Sequence, residues 1–271
     1  MSDQHPTIAF IGAGNMASSI IGGLTQSGYP ANKIHAADPS DDNRVKVGTA
    51  YGVSTFTNNA EAVKQADVVV LAVKPQIMQS VCEALREHLD DDCLVMSIAA
   101  GITCANMSQW LSDSTPIVRC MPNTPAQVGL GASGLFATAQ VSEAQKHHAE
   151  TILGAVGITR WVTSEALIDS VTAISGSSPA YFFLFIEAMV DAGVELGLDK
   201  HSATELAIQS ALGAATLAQQ SEDDIVTLRQ KVTSPKGTTE QAIKVLEENG
   251  LRDTVKQAMQ ACAQRATELA S

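Results

Sequence analysis

The sequence predicts an α/β fold in two domains: a doubly wound parallel sheet over residues 1–163, then an all-helical domain over residues 164–271. Three observations point there. A short apolar strand runs into a glycine turn, Thr7-Ile8-Ala9-Phe10-Ile11-Gly12-Ala13-Gly14-Asn15-Met16-Ala17, and the turn opens a helix carrying Ile20, Ile21 and Leu24. Val/Ile-rich runs then alternate with helical segments up to about residue 163, the pattern of parallel strands wrapped by helices. Beyond that point the strand signal stops and alanine-rich text of helical period takes over.

Strands are expected at 7–12, 33–38, 53–56, 67–73, 93–99, 116–121, 132–137 and 158–163. The run from Asp67 to Val73 is apolar after its first residue, as a central strand covered on both faces should be. Helices are expected at 178–198, 202–220, 222–232, 239–249 and 253–269. Ser202-Ala203-Thr204-Glu205 has capping-box spacing, and Gly250 follows Asn249 where a helix should stop. The first of these helices is apolar nearly all round, with Phe182, Phe183, Leu184, Phe185, Ile186, Met189, Val190, Val194 and Leu196. Such a helix must be buried on all sides, and a small helical domain cannot enclose it alone, so a second subunit is expected to cover it.

Composition narrows the function. With 271 residues, 45% of them hydrophobic, the chain can build real cores, and 4% aromatic content favours close packing by small residues. Seventeen basic against 29 acidic residues leave a net charge of −12, which disfavours nucleic acid or an anionic membrane as partner. The five cysteines, Cys82, Cys93, Cys104, Cys120 and Cys262, form no C-x-x-C pair and accompany no zinc-type histidine cluster. They read as buried thiols in a reducing compartment, with no metal site. The first six residues lack the basic segment of a secretory signal, and the apolar run 179–186 is too short and too closely followed by Glu187, Asp191 and Glu195 to span a bilayer. The expectation is a soluble, cytoplasmic protein.

The glycine turn carries the first chemistry. Gly12 permits the tight turn, Gly14 lets backbone approach a pyrophosphate, and Ala17 takes the third position of G-x-G-x-x-G/A, where helix packs on strand. Together with Ala13, Asn15 and Met16 these residues predict a Rossmann-type site, with the phosphates of a nicotinamide or flavin dinucleotide on a helix N-terminus. After the second strand, Asp38 stands where an acid would bind the ribose 2′-hydroxyl of NAD, whereas Ser40 and Arg44 could receive a 2′-phosphate. An ordinary Asp38-Pro39 turn with Arg44 as a solvated helix residue explains the same text, so NAD against NADP stays open. The fourth strand ends in Ala72-Val73-Lys74-Pro75, with Pro75 suited to a helix start. The fifth ends at Ala99-Ala100-Gly101, small enough for a cofactor to lie close to backbone. Lys74 is assigned to cofactor binding, and the turn Met121-Pro122-Asn123-Thr124-Pro125 is placed facing the nicotinamide.

The helical domain adds two polar loops. Ser175-Gly176-Ser177-Ser178-Pro179-Ala180-Tyr181 carries more hydroxyls than a helix cap needs, and Ser177 is a candidate catalytic residue. Val232-Thr233-Ser234-Pro235-Lys236-Gly237-Thr238-Thr239 precedes a helix whose unpaired N–H groups and dipole suit a carboxylate. Capping alone would explain one threonine here, Thr238 with Gln241 forming a T-x-x-Q box.

The sequence resembles pyrroline-5-carboxylate reductases. Gly-Ala-Gly-Asn-Met, Ala-Val-Lys-Pro, Met-Pro-Asn-Thr-Pro, Ser-Gly-Ser-Ser-Pro-Ala-Tyr and Ser-Pro-Lys-Gly-Thr-Thr occur in that family's order, across essentially the whole chain. The resemblance implies reduction of a cyclic imine, 1-pyrroline-5-carboxylate, to L-proline by NADPH or NADH, in the last step of proline biosynthesis. It implies a helical domain that binds substrate and forms a homodimer by interlocking helices, with larger rings in some members. It places the substrate carboxylate on the N–H groups near Gly237 and Thr238, beside Ser234, and the Thr239 hydroxyl, the second catalytic candidate, on the ring nitrogen. It puts Glu165 near the substrate, although a surface acid at a helix start would look the same, and Asn59 on the adenine side of the cofactor, although Asn59 also reads as a helix cap.

Two departures stand out: the family usually has glycine at the positions of Ser178 and Lys236. Lys236 could add charge beside the carboxylate site or point to solvent. A β-hydroxyacid dehydrogenase shares this two-domain plan but needs a lysine on the interdomain helix, and none lies between Ser177 and Asp199. A nucleotide-sensing interaction protein would keep Gly12 and Gly14 but has no use for hydroxyl-rich loops.

Overall fold

A computed structural model describes residues 5–270. Its first part alternates strand and helix: β1 (Ile8–Ile11), α1 (Asn15–Gln26), β2 (Ile34–Ala37), α2 (Asp41–Tyr51), β3 (Ser54–Phe56), α3 (Asn59–Val63), β4 (Val68–Leu71), α4 (Pro75–Leu85), β5 (Leu94–Ser97), α5 (Cys104–Trp110) and β6 (Ile117–Met121). Next come β7 (Gly131–Ala137), α6 (Glu143–Gly154) and β8 (Gly157–Trp161). The eight strands form one sheet in the order β3-β2-β1-β4-β5-β6-β7-β8, so strand order reverses beside β1 as in a doubly wound fold.

Side-chain alternation divides the core into two layers. Ile8 and Phe10 of β1 pack with Ile20, Ile21 and Leu24 on one face of the sheet, while Ala9 and Ile11 pack with Met78, Cys82 and Leu85 on the other. Every residue of β1, β4 and β5 is buried, which is why these strands read as continuous apolar runs. The sheet is not wholly parallel: β7 runs antiparallel to β6. Only a short segment with a 3₁₀ turn, Thr124–Val128, joins the two, and without a crossover helix the chain must reverse direction. At the start of β8, Gly157 has φ +153°, and a Cβ there would lie 2.0 Å from the Gly131 carbonyl oxygen of β7.

All later elements are helical: α7 (Leu167–Val171), a π-helical turn (Thr172–Gly176), α8 (Ser178–Glu195), α9 (Lys200–Gln220), α10 (Ile225–Lys231), α11 (Thr238–Glu248) and α12 (Leu251–Ala270). The π turn lets α7 and α8 continue as one stretch of 29 residues, Leu167–Glu195, with mean hydropathy 1.3 in its most apolar window. By length and composition this stretch could cross a membrane, so the expectation that its apolar run is too short fails on length. Of its acidic residues, Asp169 lies near the start, and Glu187, Asp191 and Glu195 fall toward the C-terminal end.

Three local expectations are corrected. The cap of α9 is Asp199, whose carboxylate accepts from Ser202 N–H, so the Ser202–Glu205 box is not used. The cap of α3 is Asn58, leaving Asn59 as the first helical residue. The helix expected to begin at 222 begins at Ile225, behind an Asp224 cap. Each time an aspartate or asparagine near the expected start accepts from a first-turn N–H instead. Gly250 does follow α11, with φ +74° behind the Asn249 cap. Four cysteines are buried as expected, but Cys262 is half-buried.

Two compact units result. One runs through Ser177 and regains the chain's end from Cys262; the other is Ser178–Ala261. In the first, the end of α12 packs against the loop after β5, where a Cβ on Gly101 would lie 2.9 Å from the Leu269 carbonyl oxygen. In the second, α8 packs on α9 around Val190, Ala203 and Ala207, with Ile186 against them. Much of α8 is left bare: Phe182 is 65% exposed, Phe183 67% and Leu184 66%.

A buried amide joins the sheet to the π turn. Asn123, after β6, is 7% exposed; its Nδ2 donates to the Ser175 carbonyl at 3.0 Å and its Oδ1 accepts from Ala132 N–H at 2.8 Å. Replacing it, Asn123→Ala, removes the partners of two backbone groups and should cost about 2–4 kcal/mol in urea unfolding. A loss below about 0.5 kcal/mol, the size of a neutral surface change, would show that the amide ties nothing together.

Candidate active site

Parallel register brings the carboxyl ends of four strands side by side, with Ile11 opposite Ala37 and Leu71, and Leu71 opposite Ser97. The glycine turn leaves β1 at this edge. Gly12 has φ +98°, and a Cβ there would sit 2.6 Å from the Ala72 carbonyl oxygen, so no other residue fits. Its N–H donates to the Ala37 carbonyl at 2.7 Å. Gly14 caps α1 without a side-chain bond, and a Cβ on it would meet nothing within 4 Å. The turn therefore faces open space with the N–H groups of Asn15, Met16 and Ala17 at an uncapped helix start that has no acidic residue in its first turn. Ala17 itself is 1% exposed, packed against the sheet as its small size requires. These residues fit a pyrophosphate: donors, helix dipole and empty space converge.

Beside the turn, Asp38 is 7% exposed and its carboxylate accepts from Ala13 N–H at 2.8 Å, Ser40 N–H at 2.8 Å and Asn43 Nδ2 at 3.1 Å. Ser40 caps α2. Arg44 is not a solvated helix residue; its guanidinium donates to the Asp38 carbonyl and pairs with Asp41, leaving the side chain 12% exposed. Asn59 is half-buried at the start of α3. Across the reversal point, Ala72 N–H donates to the Ile11 carbonyl at 2.8 Å, Lys74 is an exposed cap of α4 without a side-chain bond, and Pro75 is the first residue of that helix. Ala99 is buried, Ala100 exposed and Gly101 left-handed.

One polar residue that the sequence reading passed over, Arg119, organises the neighbouring part of the sheet. Arg119, in the otherwise apolar β6, is 5% exposed and reaches Glu165 at 2.9 Å and Asp169 at 3.6 Å. Glu165 also accepts from Cys104 N–H at 2.8 Å, at the first turn of α5, and Thr267 of α12 donates to Asp169 at 2.8 Å. Glu165 is thus held as a partner of Arg119 and α5. Burial first, and the Glu165 carboxylate second, push the Cys104 thiol up to about 12, so it is no nucleophile at neutral pH. The signal for Arg119 was present in the text as a lone charge inside a strand; Asn123 carried none beyond its place in a turn.

In the loop before α8, Ser177 N–H donates to the Thr172 carbonyl at 2.8 Å and its Oγ accepts from Cys262 Sγ at 3.3 Å. In the helical unit, Gly237 caps α11 with no side-chain bond, so Thr238 is the first helical residue and the alternative box with Gln241 does not form. Thr238 and Thr239 are exposed at this uncapped start, and Gly237 N–H donates to the Ser234 carbonyl at 3.0 Å. Lys236 adopts φ +61°, with its N–H donating to Glu240 at 2.8 Å. Such a left-handed backbone favours glycine, the residue that the resemblance implies at this position. Among the described residues, no group of three His, Cys, Asp or Glu is arranged for a metal ion.

Comparison with known proteins matches both halves. The family described as pyrroline-5-carboxylate reductase dimerisation matches residues 165–269, and one described as NADP oxidoreductase, coenzyme F420-dependent, matches residues 7–101. The chain is 55% identical to a pyrroline-5-carboxylate reductase of Pseudomonas aeruginosa over 98% of its own length and 97% of that protein's. It is 47% identical to one of Vibrio alginolyticus, over 98% of each. Among solved structures, the pyrroline-5-carboxylate reductase of Coxiella burnetii superposes with TM-score 0.96 at 46% identity, over 99% of this chain and 100% of that one. The Plasmodium falciparum enzyme, solved with NADP bound, superposes with TM-score 0.87 at 29% identity, over 98% and 99%. With the glycine turn, the hydroxyl-bearing loops and near full-length likeness all in agreement, the chain belongs to the pyrroline-5-carboxylate reductase family.

Proposed function

We propose that this chain reduces 1-pyrroline-5-carboxylate to L-proline with NADPH or NADH, residues 1–163 holding the cofactor and residues 164–271 holding the substrate and the partner subunit. The near full-length identity of 55% to the Pseudomonas aeruginosa reductase carries this reading. The cofactor supplies the hydride. Gly12, Ala13, Gly14, Asn15, Met16 and Ala17 hold its pyrophosphate, Ser40 and Asn59 its adenosine side, and Ala72, Val73, Lys74, Pro75, Ala99, Ala100 and Gly101 line the path toward the nicotinamide.

The substrate needs positioning more than acid catalysis, because a protonated imine is already an electrophile. The uncapped N–H groups of α11 suit its carboxylate, with Ser234, Gly237 and Thr238 shaping that cradle. Thr239 accepts from the protonated ring nitrogen and Ser177 contacts the ring. Glu165 works as a positioning residue through Arg119. The bare apolar side of α8 fits a homodimer or larger homo-oligomer, and the four deeply buried thiols suit a cytoplasmic enzyme.

Mixing the protein with 1-pyrroline-5-carboxylate and either NADPH or NADH should give substrate-dependent loss of nicotinamide absorbance, unchanged by a chelator; no loss with either cofactor sinks the assignment. Thr239→Ala should lower kcat/KM by about 1–2 kcal/mol, roughly 5–30-fold, at unchanged thermal stability. Wild-type kinetics with a lowered Tm would make Thr239 a structural residue only. Sedimentation equilibrium should return at least twice the chain mass, and Phe183→Glu should shift it toward the monomer; a monomeric wild type would leave the exposed face of α8 unexplained.

A further inference from the structure

Asp38 occupies the place at the end of β2 where an acid in such folds commonly takes a ribose hydroxyl. An acid in that role points out of the sheet edge with an oxygen to spare, and its charge repels a 2′-phosphate. Asp38 does neither. It is 7% exposed, and both carboxylate oxygens are engaged: Oδ2 by Ala13 N–H and Asn43 Nδ2, Oδ1 by Ser40 N–H. Its backbone is fixed too, its N–H donating to the Phe56 carbonyl at 3.2 Å and its carbonyl accepting from Arg44.

The donors show what the carboxylate connects. Ala13 is the middle of the Gly12-Ala13-Gly14 turn, and its amide would otherwise be a buried orphan, since Ala13 is 1% exposed. Ser40 and Asn43 are the cap and first turn of α2. One buried carboxylate therefore ties the turn to the helix start on the adenosine side, while the Gly12 N–H bond to Ala37 holds the turn from behind.

We propose that Asp38 is a positioning residue that holds the pyrophosphate turn in shape, and not a ligand of the ribose. This rests on the reading of the turn as a nicotinamide-dinucleotide site. It follows that Asp38 supports NADPH and NADH alike.

Isothermal titration of NADPH and of NADH into the full-length protein, without substrate, tests this. Asp38→Asn should weaken both cofactors by a similar factor, roughly tenfold for one lost hydrogen bond, and hydrogen exchange at the Ala13 amide should quicken in the free protein. A selective loss of NADH, with NADPH unchanged or tighter, would make Asp38 a ribose ligand and overturn the proposal, as would unchanged affinity for both. Should Asp38→Asn fail to fold, Asn43→Ala carries the same comparison: a smaller but equal loss for both cofactors supports the strut, and a loss for one alone overturns it. Failure of the unsubstituted protein to bind either cofactor would overturn the dinucleotide reading itself, an outcome distinct from selectivity in the variants.

Discussion

The passage of Gly12 against the Ala72 carbonyl is the contact on which the cofactor half of the molecule is built. A Cβ at residue 12 would come within 2.6 Å of that oxygen, so the turn can leave β1 only along a left-handed backbone. That path aims the start of α1 at the carboxyl edge of the sheet. The strand order reverses between β1 and β4, and the crevice at such a reversal is where ligands of this fold class lie across strand ends. Gly14 and the first residues of α1 present their backbone to that crevice because Gly12 sets the direction.

Buried polar groups support this edge from below. Arg119 draws Glu165 and Asp169 to β6 and so ties the end of the sheet to the segment that begins the helices. Asn123 satisfies a carbonyl in the π turn, where the ordinary helical bonding pattern is broken. Asp38 does the same for the glycine turn. In the last two cases a short polar side chain, 7% exposed, fixes irregular backbone that apolar packing cannot hold.

The helical unit depends on a different constraint. Its described core is three buried residues, Val190, Ala203 and Ala207, while Phe182, Phe183 and Leu184 are each about two-thirds bare. Apolar surface of that extent is not stable against water, and the match to a dimerisation family over residues 165–269 accounts for it. Because the apolar residues of α8 lie all round the helix, a single neighbour such as α9 can cover only one side.

Local patterning determined a great deal. All eight strands, the glycine turn, Pro75 at the start of α4 and the stop at Gly250 follow from short-range steric and periodic rules, and each is where the sequence placed it. The reversal of β7 and the choice of Asp199, Asn58 and Asp224 as caps were not legible, because neighbouring residues offer equivalent local solutions and only packing selects among them. The same holds at the site. The sequence alone named a dinucleotide turn and two hydroxyl-bearing loops, since glycines and hydroxyls declare themselves by type and spacing. Only the tertiary structure decided that Asp38 turns inward to Ala13 and that Glu165 meets Arg119, because a carboxylate's partner is set by which distant donors the fold brings within 3 Å of it.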